Sequence, residues 1–202
     1  MRPRLPTVLC VAGLTLAGCS AASEDDFAST PGGPSGQVTS QDQGAAQESQ
    51  AAAAGDGLPV DALPATDRES FDECPYLDTQ WVADTNGQRV TGVGLDTRFD
   101  PPACQYWSYP EEPQLTVFVR HMASPGDAMA VVDWATPIEF TSPADQPAGW
   151  NGGRHGGGEV PGRIGAAYSV AKGNDAVTVF TNQDESIKAQ LVAEQVITTL
   201  GL

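Results

Sequence analysis

His121 and His155 are the only imidazoles in the chain. Acid–base or nucleophilic chemistry that uses a ring titrating near neutral pH must therefore rely on one of them. His155 lies in the run Trp150-Asn151-Gly152-Gly153-Arg154-His155-Gly156-Gly157-Gly158-Glu159. A binding loop joins a free backbone to a few polar or aromatic groups, and this run has that composition. Trp150 offers a stacking face, and Asn151 lies beside it. The Arg154 guanidinium can take a carboxylate or phosphate through two parallel hydrogen bonds. His155 and Glu159 are the residue types of a weak metal site. The plainer reading is a mobile surface loop with a partly exposed Trp, and that is the expectation. His121 ends an apolar strand pattern, so its ring is expected to face water. A hydrolase built on either ring needs an acid and a nucleophile within hydrogen-bond reach. The chain has no Gly-x-Ser-x-Gly elbow, no GxxxxGK[S/T] loop and no His-Glu-x-x-His. No catalytic residue, metal or cofactor is expected.

The four cysteines divide by position. Arg2 and Arg4 open a basic start, an apolar run follows from Leu5 to Leu16, and the run closes on Leu16-Ala17-Gly18-Cys19. A signal peptide has these parts in this order. The four closing residues resemble the lipobox of bacterial lipoproteins, in which small residues precede a cysteine that is acylated and becomes the mature N-terminus. The run is shorter than the roughly 20 apolar residues of a membrane-spanning helix and contains Pro6. The expectation is a signal peptide over 1–18 and lipid on Cys19, which anchors the chain to the outer face of the cytoplasmic membrane. Cys10 leaves with the signal peptide. Cys74 and Cys104 remain as an even pair in an oxidising compartment, so a disulfide between them is expected. A closed loop of that length contributes roughly 3.5 kcal/mol by chain entropy.

Loss of Arg2 and Arg4 leaves 8 cationic side chains against 26 acidic ones, a formal charge of −18. That balance argues against nucleic acid as a partner and against adsorption of the body to anionic lipid. Residues 20–66 are rich in Ala, Gly, Ser, Gln and Pro, with seven acids and no Lys or Arg. Their apolar content is too low to offset ordering entropy, so 19–66 reads as a lipidated cysteine with a disordered acidic linker. Large apolar residues recur from about residue 67, and 67–202 is long enough for one domain with a core.

Within that domain the elements must be few. Asp78 or Thr79 can cap a helix that closes at Asn86-Gly87. Val90–Leu95, Cys104–Tyr109 and Gln114–Met122 read as strands. Ser124-Pro125-Gly126-Asp127 starts a helix that runs to about Trp134, before Pro137. Ile138–Thr141 is a short strand candidate, and Pro143 to Gly162 is a Gly- and Pro-rich loop. Ile164–Ala171 and Ala176–Thr181 form a hairpin across Lys172-Gly173-Asn174-Asp175. A last helix runs from near Asp184 to Leu200, with Ala189, Val192, Val196 and Leu200 on one stripe. Trp81, Trp107 and Trp134 are expected in the core, and Asp96, Arg98 and Asp100 as a local ion-pair cluster. The whole is an α+β fold with a single twisted antiparallel sheet flanked by helices.

Several strings resemble one family. Cys74-Pro75-Tyr76-Leu77, Val82-Ala83-Asp84-Thr85-Asn86-Gly87-Gln88 and Arg98-Phe99-Asp100-Pro101-Pro102-Ala103-Cys104 are similar to an actinobacterial, corynebacterial lipoprotein family, domain of unknown function 2020. Trp107 to Pro113 and the strand into Arg120-His121-Met122 agree with it. The resemblance implies an envelope lipoprotein with a PsbP-like α/β/α sandwich and brings no activity with it. The expected function is a non-enzymatic interaction module of the cell envelope that binds a partner protein or a small lipid. The alternatives are a lipid- or small-molecule-binding lipoprotein, or a hydrolase using His155 or His121. The possible contact residues are Trp150, Asn151, Arg154 and His155.

Overall fold

Alternating apolar residues build the centre of the molecule. In the computed structural model, which describes residues 55–202, seven strands form one antiparallel sheet in the order β1-β2-β3-β7-β6-β5-β4. The strands are β1 Gly92–Asp96, β2 Ala103–Trp107, β3 Leu115–His121, β4 Ser142–Ala144, β5 Asn151–His155, β6 Ala167–Lys172 and β7 Asp175–Thr181. The long pairing of β3 with β7 sets Leu115, Val117 and Val119 opposite Thr181, Val179 and Val177. The β6–β7 hairpin turns through Gly173-Asn174, with Gly173 at φ 58°. A two-residue turn of that hand matches the twist of the strands.

Helices cover both faces. Helix α1 (Thr79–Asn86) is capped by the Asp78 carboxylate, which accepts from the Trp81 N–H at 2.7 Å, and closes at left-handed Gly87. Helix α2 (Pro125–Ala135) starts where Ser124 accepts from the Asp127 N–H. Helix α3 (Ser186–Leu200) ends at left-handed Gly201. Val93, Tyr106, Val117, Val170 and Val179 pack against Val192 and Val196 of α3 on one face. On the other, Phe118 and Ala171 pack against Ala128, Val131 and Val132 of α2. The expected α+β class with a single antiparallel sheet is the observed one.

Cys74 and Cys104 are disulfide-bonded as expected, tying the lead-in of α1 to β2. Tyr76 and Tyr106 brace the same lead-in: their hydroxyls donate to the Pro102 and Leu77 carbonyls at 3.0 and 2.6 Å. Burial pushes both phenols far above their ordinary titration range.

Three expectations need correction. Ile138–Phe140 is a turn of 3-10 helix, not a strand. The stretch from Pro143 to Gly162 is not one loop, because it contains β5 and most of β4. The glycines of β5 serve packing: a Cβ on Gly153 would meet Thr136 Oγ1 at 2.6 Å, and one on Gly152 would fall 2.0 Å from the Ser169 carbonyl oxygen. Trp81, Trp107 and Trp134 are only partly buried, whereas Trp150 is almost fully enclosed.

The boundary read at 66 also moves. Residues 56–66 form a strap on the domain, without helix or strand, and it takes the place of a second helix on the α2 face. Leu58, Val60 and Ala62 pack on the cluster around Phe118. Arg120, wholly buried in β3, is ion-paired with Asp56 and donates to the Leu58 and Pro59 carbonyls at 3.0 Å each. Arg98 donates to the Leu63 carbonyl, and Asp96 accepts from the Ala65 N–H. The strap is thus attached both by apolar side chains and by backbone carbonyls that accept from arginines. Leu16, Ala17, Gly18, Cys19 and the linker as far as residue 54 lie outside the described residues. Among the described residues no helix is long and apolar enough to cross a membrane.

Candidate functional site

Alternation along β5 sends its successive side chains to opposite faces of the sheet. Arg154 pairs in register with Tyr168 and Gly152 with Val170, on the face covered by α3. Asn151 and His155 pair with Ala171 and Ala167 on the opposite, α2-facing side. Trp150 belongs to the α3-side core, with the Lys172 ammonium 5.6 Å from its ring centroid. The four expected contact residues are therefore divided. Trp150 is a packing residue. Asn151 lines a recess of about 240 Å³ beside Met129, Ile138 and Pro143. Only Arg154 and His155 line one recess together.

That recess, about 480 Å³ and open, lies at the N-terminus of α3 and includes Ser142, Arg154, His155, Glu159, Asp184 and Glu185. Arg154 reaches Gln190 of α3 at 3.4 Å. Glu159 accepts from the Gly156 N–H at 2.6 Å and so braces the turn. His155 is 2% exposed, and its Nδ1 donates to the Gly156 carbonyl at 2.8 Å. Its Nε2 has no partner among the described residues. Three carboxylates facing one guanidinium oppose anion binding there. Among the described residues no group of three His, Cys, Asp or Glu side chains could hold a metal ion. The one hydrogen bond of the His155 ring among the described residues is to backbone.

His121 lies at the end of β3, exposed as expected, with Nδ1 2.6 Å from the Asp175 carboxylate across the strand pair. Of the expected cluster of Asp96, Arg98 and Asp100, the Asp96–Arg98 pair is present at 2.5 Å, and Asp100 joins no ion pair among the described residues. Burial pushes the Asp96 carboxyl up, but the Arg98 hydrogen bond and the Ala65 and Arg98 N–H groups hold it below the ordinary carboxylate range.

A third recess escaped the sequence reading. It has a volume of about 270 Å³ and lies on the α2 side, between the strap and the segment that leads into β6. Thr116 of β3 and Phe180 of β7 form its floor, and Leu63, Pro64, Arg163 and Ile164 its walls. Leu63 and Ile164 are 49% and 65% exposed. The Arg163 guanidinium stacks 4.6 Å from the Phe180 ring centroid and 4.8 Å from that of Trp134. Its Nη2 donates to the Trp134 carbonyl at 3.3 Å. Burial lowers the Arg163 pKa, and no carboxylate among the described residues pairs with it.

A family model described as "Domain of unknown function (DUF2020)" matches residues 58–202. The chain belongs to the DUF2020 family. The matched region starts at Leu58, whose carbonyl Arg120 holds, so it takes in most of the strap. Comparison with curated proteins gives no match.

On this DUF2020 domain two exposed apolar residues, Leu63 and Ile164, share one concavity with Arg163, which has no carboxylate partner among the described residues. The Gly-rich run drew attention because its composition resembles a binding loop, yet its backbone is spent on a strand. The expected strand Ile164–Ala171 starts only at Ala167, which leaves Arg163 and Ile164 in a glycine-flanked loop, Gly162-Arg163-Ile164-Gly165.

Proposed function

We propose that the protein is an extracytoplasmic lipoprotein, anchored through lipid on Cys19 to the outer face of the cytoplasmic membrane, whose domain is a non-enzymatic binding module of the cell envelope. The observation that carries the binding role is the apolar recess at Arg163. Leu63 and Ile164 stay exposed at its walls, beside the Phe180 floor and the Arg163 guanidinium. The anchoring role rests on the sequence Leu16-Ala17-Gly18-Cys19. The actinobacterial origin rests on the strings from Cys74 to Cys104, and helices on both sheet faces favour the PsbP-like reading of the fold.

A hydrolase reading has less behind it. His155 spends its Nδ1 on a backbone carbonyl, and His121 pairs with Asp175 in the open. The test is crosslinking of the lipidated protein in cells, followed by mass spectrometry of captured proteins and lipids. Specific capture that is lost on Ile164→Asp is expected. A purified chain that turns over an ester, glycoside or phosphate panel, and loses that turnover on His155→Ala or His121→Ala, would overturn the proposal. Retention of radiolabelled palmitate by the wild type and its loss in Cys19→Ala tests the anchor separately.

A further inference from the structure

We propose that the recess at Arg163 binds a small monocarboxylate with an apolar tail, the guanidinium taking the carboxylate and Phe180, Leu63 and Ile164 enclosing the tail. This rests on the binding-module reading and names its ligand class. Four observations carry it.

The first is size. At about 270 Å³ the recess lies at the lower edge of small-molecule pockets. It suits a short chain rather than a folded partner. The second is lining. Leu63, Pro64, Pro113, Ile164 and Phe180 present carbon, and a tail laid over them removes apolar surface from water.

The third is charge. Arg163 is one of only 10 cationic residues in a chain with 26 acids, yet none of those within the described residues pairs with it. Its Cζ lies 4.8 and 4.6 Å from the Trp134 and Phe180 ring centroids, and of its five N–H donors one is committed, to the Trp134 carbonyl. A guanidinium fixed in this way loses little further freedom when it forms two parallel bonds to a carboxylate. Partial burial already disfavours the cation, and a bound anion would relieve that.

The fourth is the rim. Glu112 also lines the recess. Its charge admits a ligand with a single negative charge more readily than a phosphate. The recess of Arg154 lacks this balance, since Glu159, Asp184 and Glu185 surround its one guanidinium.

The test is isothermal titration calorimetry of the full chain with sodium octanoate and with 1-octanol. Octanoate is expected to bind one to one, and octanol about tenfold more weakly, as loss of one charge-assisted hydrogen-bonded contact implies. In Arg163→Gln, octanoate should fall to the octanol level while octanol stays unchanged. Ile164→Asp should weaken both. Arg163→Lys, which keeps the charge, should retain most of the preference for octanoate, and thermal melting confirms that each variant folds. Absence of saturable octanoate binding overturns the proposal. So does an Arg163→Gln variant that loses both ligands equally, because that assigns the side chain a packing role alone. Binding of a tripeptide with a free apolar C-terminus, without octanoate binding, likewise removes the acyl-tail ligand. Crosslinking that still captures an envelope partner in any of these cases leaves the binding module standing and sinks only this ligand assignment.

Discussion

The two faces of the sheet are closed by different means. On one face, α3 with α1 covers a core in which Val82, Tyr106, Val117, Val179, Val192 and Val196 are fully buried. Its polar groups satisfy one another: Asn86 donates to Gln114 Oε1 at 3.0 Å, and Gln183 donates to Asn86 Oδ1 at 2.7 Å. On the other face, α2 covers part of the sheet and the strap of residues 56–66 covers more of it. A helix satisfies its own backbone, whereas a strap must find partners elsewhere. Here the partners are guanidinium groups, Arg120 for the Leu58 and Pro59 carbonyls and Arg98 for the Leu63 carbonyl. One face is therefore held by area. The other is held partly by charge, and the recess at Arg163 lies where the charged cover ends.

The largest effect should come from the crosslink on the α3 side. Replacing both Cys74 and Cys104 by Ala frees a 30-residue separation in the unfolded chain, which is about 3.5 kcal/mol in the chain-entropy model. Urea unfolding should show the midpoint fall with that loss. A decrease below about 1 kcal/mol would mean that the apolar face needs no staple, and would sharpen the contrast with the strap.

Asp56→Ala should cost slightly less, about 3 kcal/mol. It strips a fully buried Arg120 of its carboxylate, the low end being apt because Asp56 keeps some contact with water. The loss should be local. Amide hydrogen exchange of the strap and of residues around Phe118 should accelerate, while β7 residues facing α3 keep their protection. Uniform acceleration across both faces would break the comparison, because the strap would then be part of one cooperative unit with the rest.

The contrast between the faces also separates what the sequence discloses from what it hides. The α3 side is legible. Leu115, Val117 and Val119 announce a strand, Ala189, Val192 and Val196 a helix stripe, and Asp78 and Gly87 the ends of α1. Each signal is local and periodic. The strap is not legible, because its attachment is made by backbone carbonyls to arginines about 60 residues away in the case of Arg120. No composition rule reads that. β5 fails for a related reason: Asn151-Gly152-Gly153-Arg154-His155 has poor strand propensity, and its glycines are required by Thr136 and Ser169, which are distant in sequence. The Arg163 recess combines both problems, since its walls come from the strap and from a loop.

Acid should weaken the strap selectively. For Asp56, burial pushes the carboxyl up, but the hydrogen bond from Arg120, the Leu58 N–H and the Arg120 charge outweigh it and hold the pKa below its ordinary value of 3.8. Asp96 is lowered likewise through Arg98. A depressed folded pKa means that the unfolded chain binds more protons in the intervening window. The stabilisation is then complete above the unfolded value near 3.9 and is lost as pH falls through the lower folded value. Exchange of the Leu58 and Ala65 amides, corrected for the intrinsic rate, should rise below about pH 4 while α3-side amides hold. In Asp56→Ala the Leu58 response should vanish. A Leu58 response unchanged in that variant would remove Asp56 as its source.

The smallest effect tests burial itself. Arg120 and His121 are neighbours on β3, and each faces a carboxylate, Asp56 in one case and Asp175 in the other. Arg120 is fully buried, whereas the His121 and Asp175 side chains are 46% and 33% exposed. Water screens the second pair and solvates either member when the other is removed, so His121→Ala should cost no more than about 0.5 kcal/mol. A double-mutant cycle with Asp175→Ala isolates the coupling, which should be a small fraction of the loss in Asp56→Ala. Two adjacent side-chain pairs on one strand would then differ severalfold because one is sealed under the strap and the other is not. If the His121–Asp175 coupling matched the cost of losing Asp56, burial under the strap would not be what gives the Arg120 contact its strength.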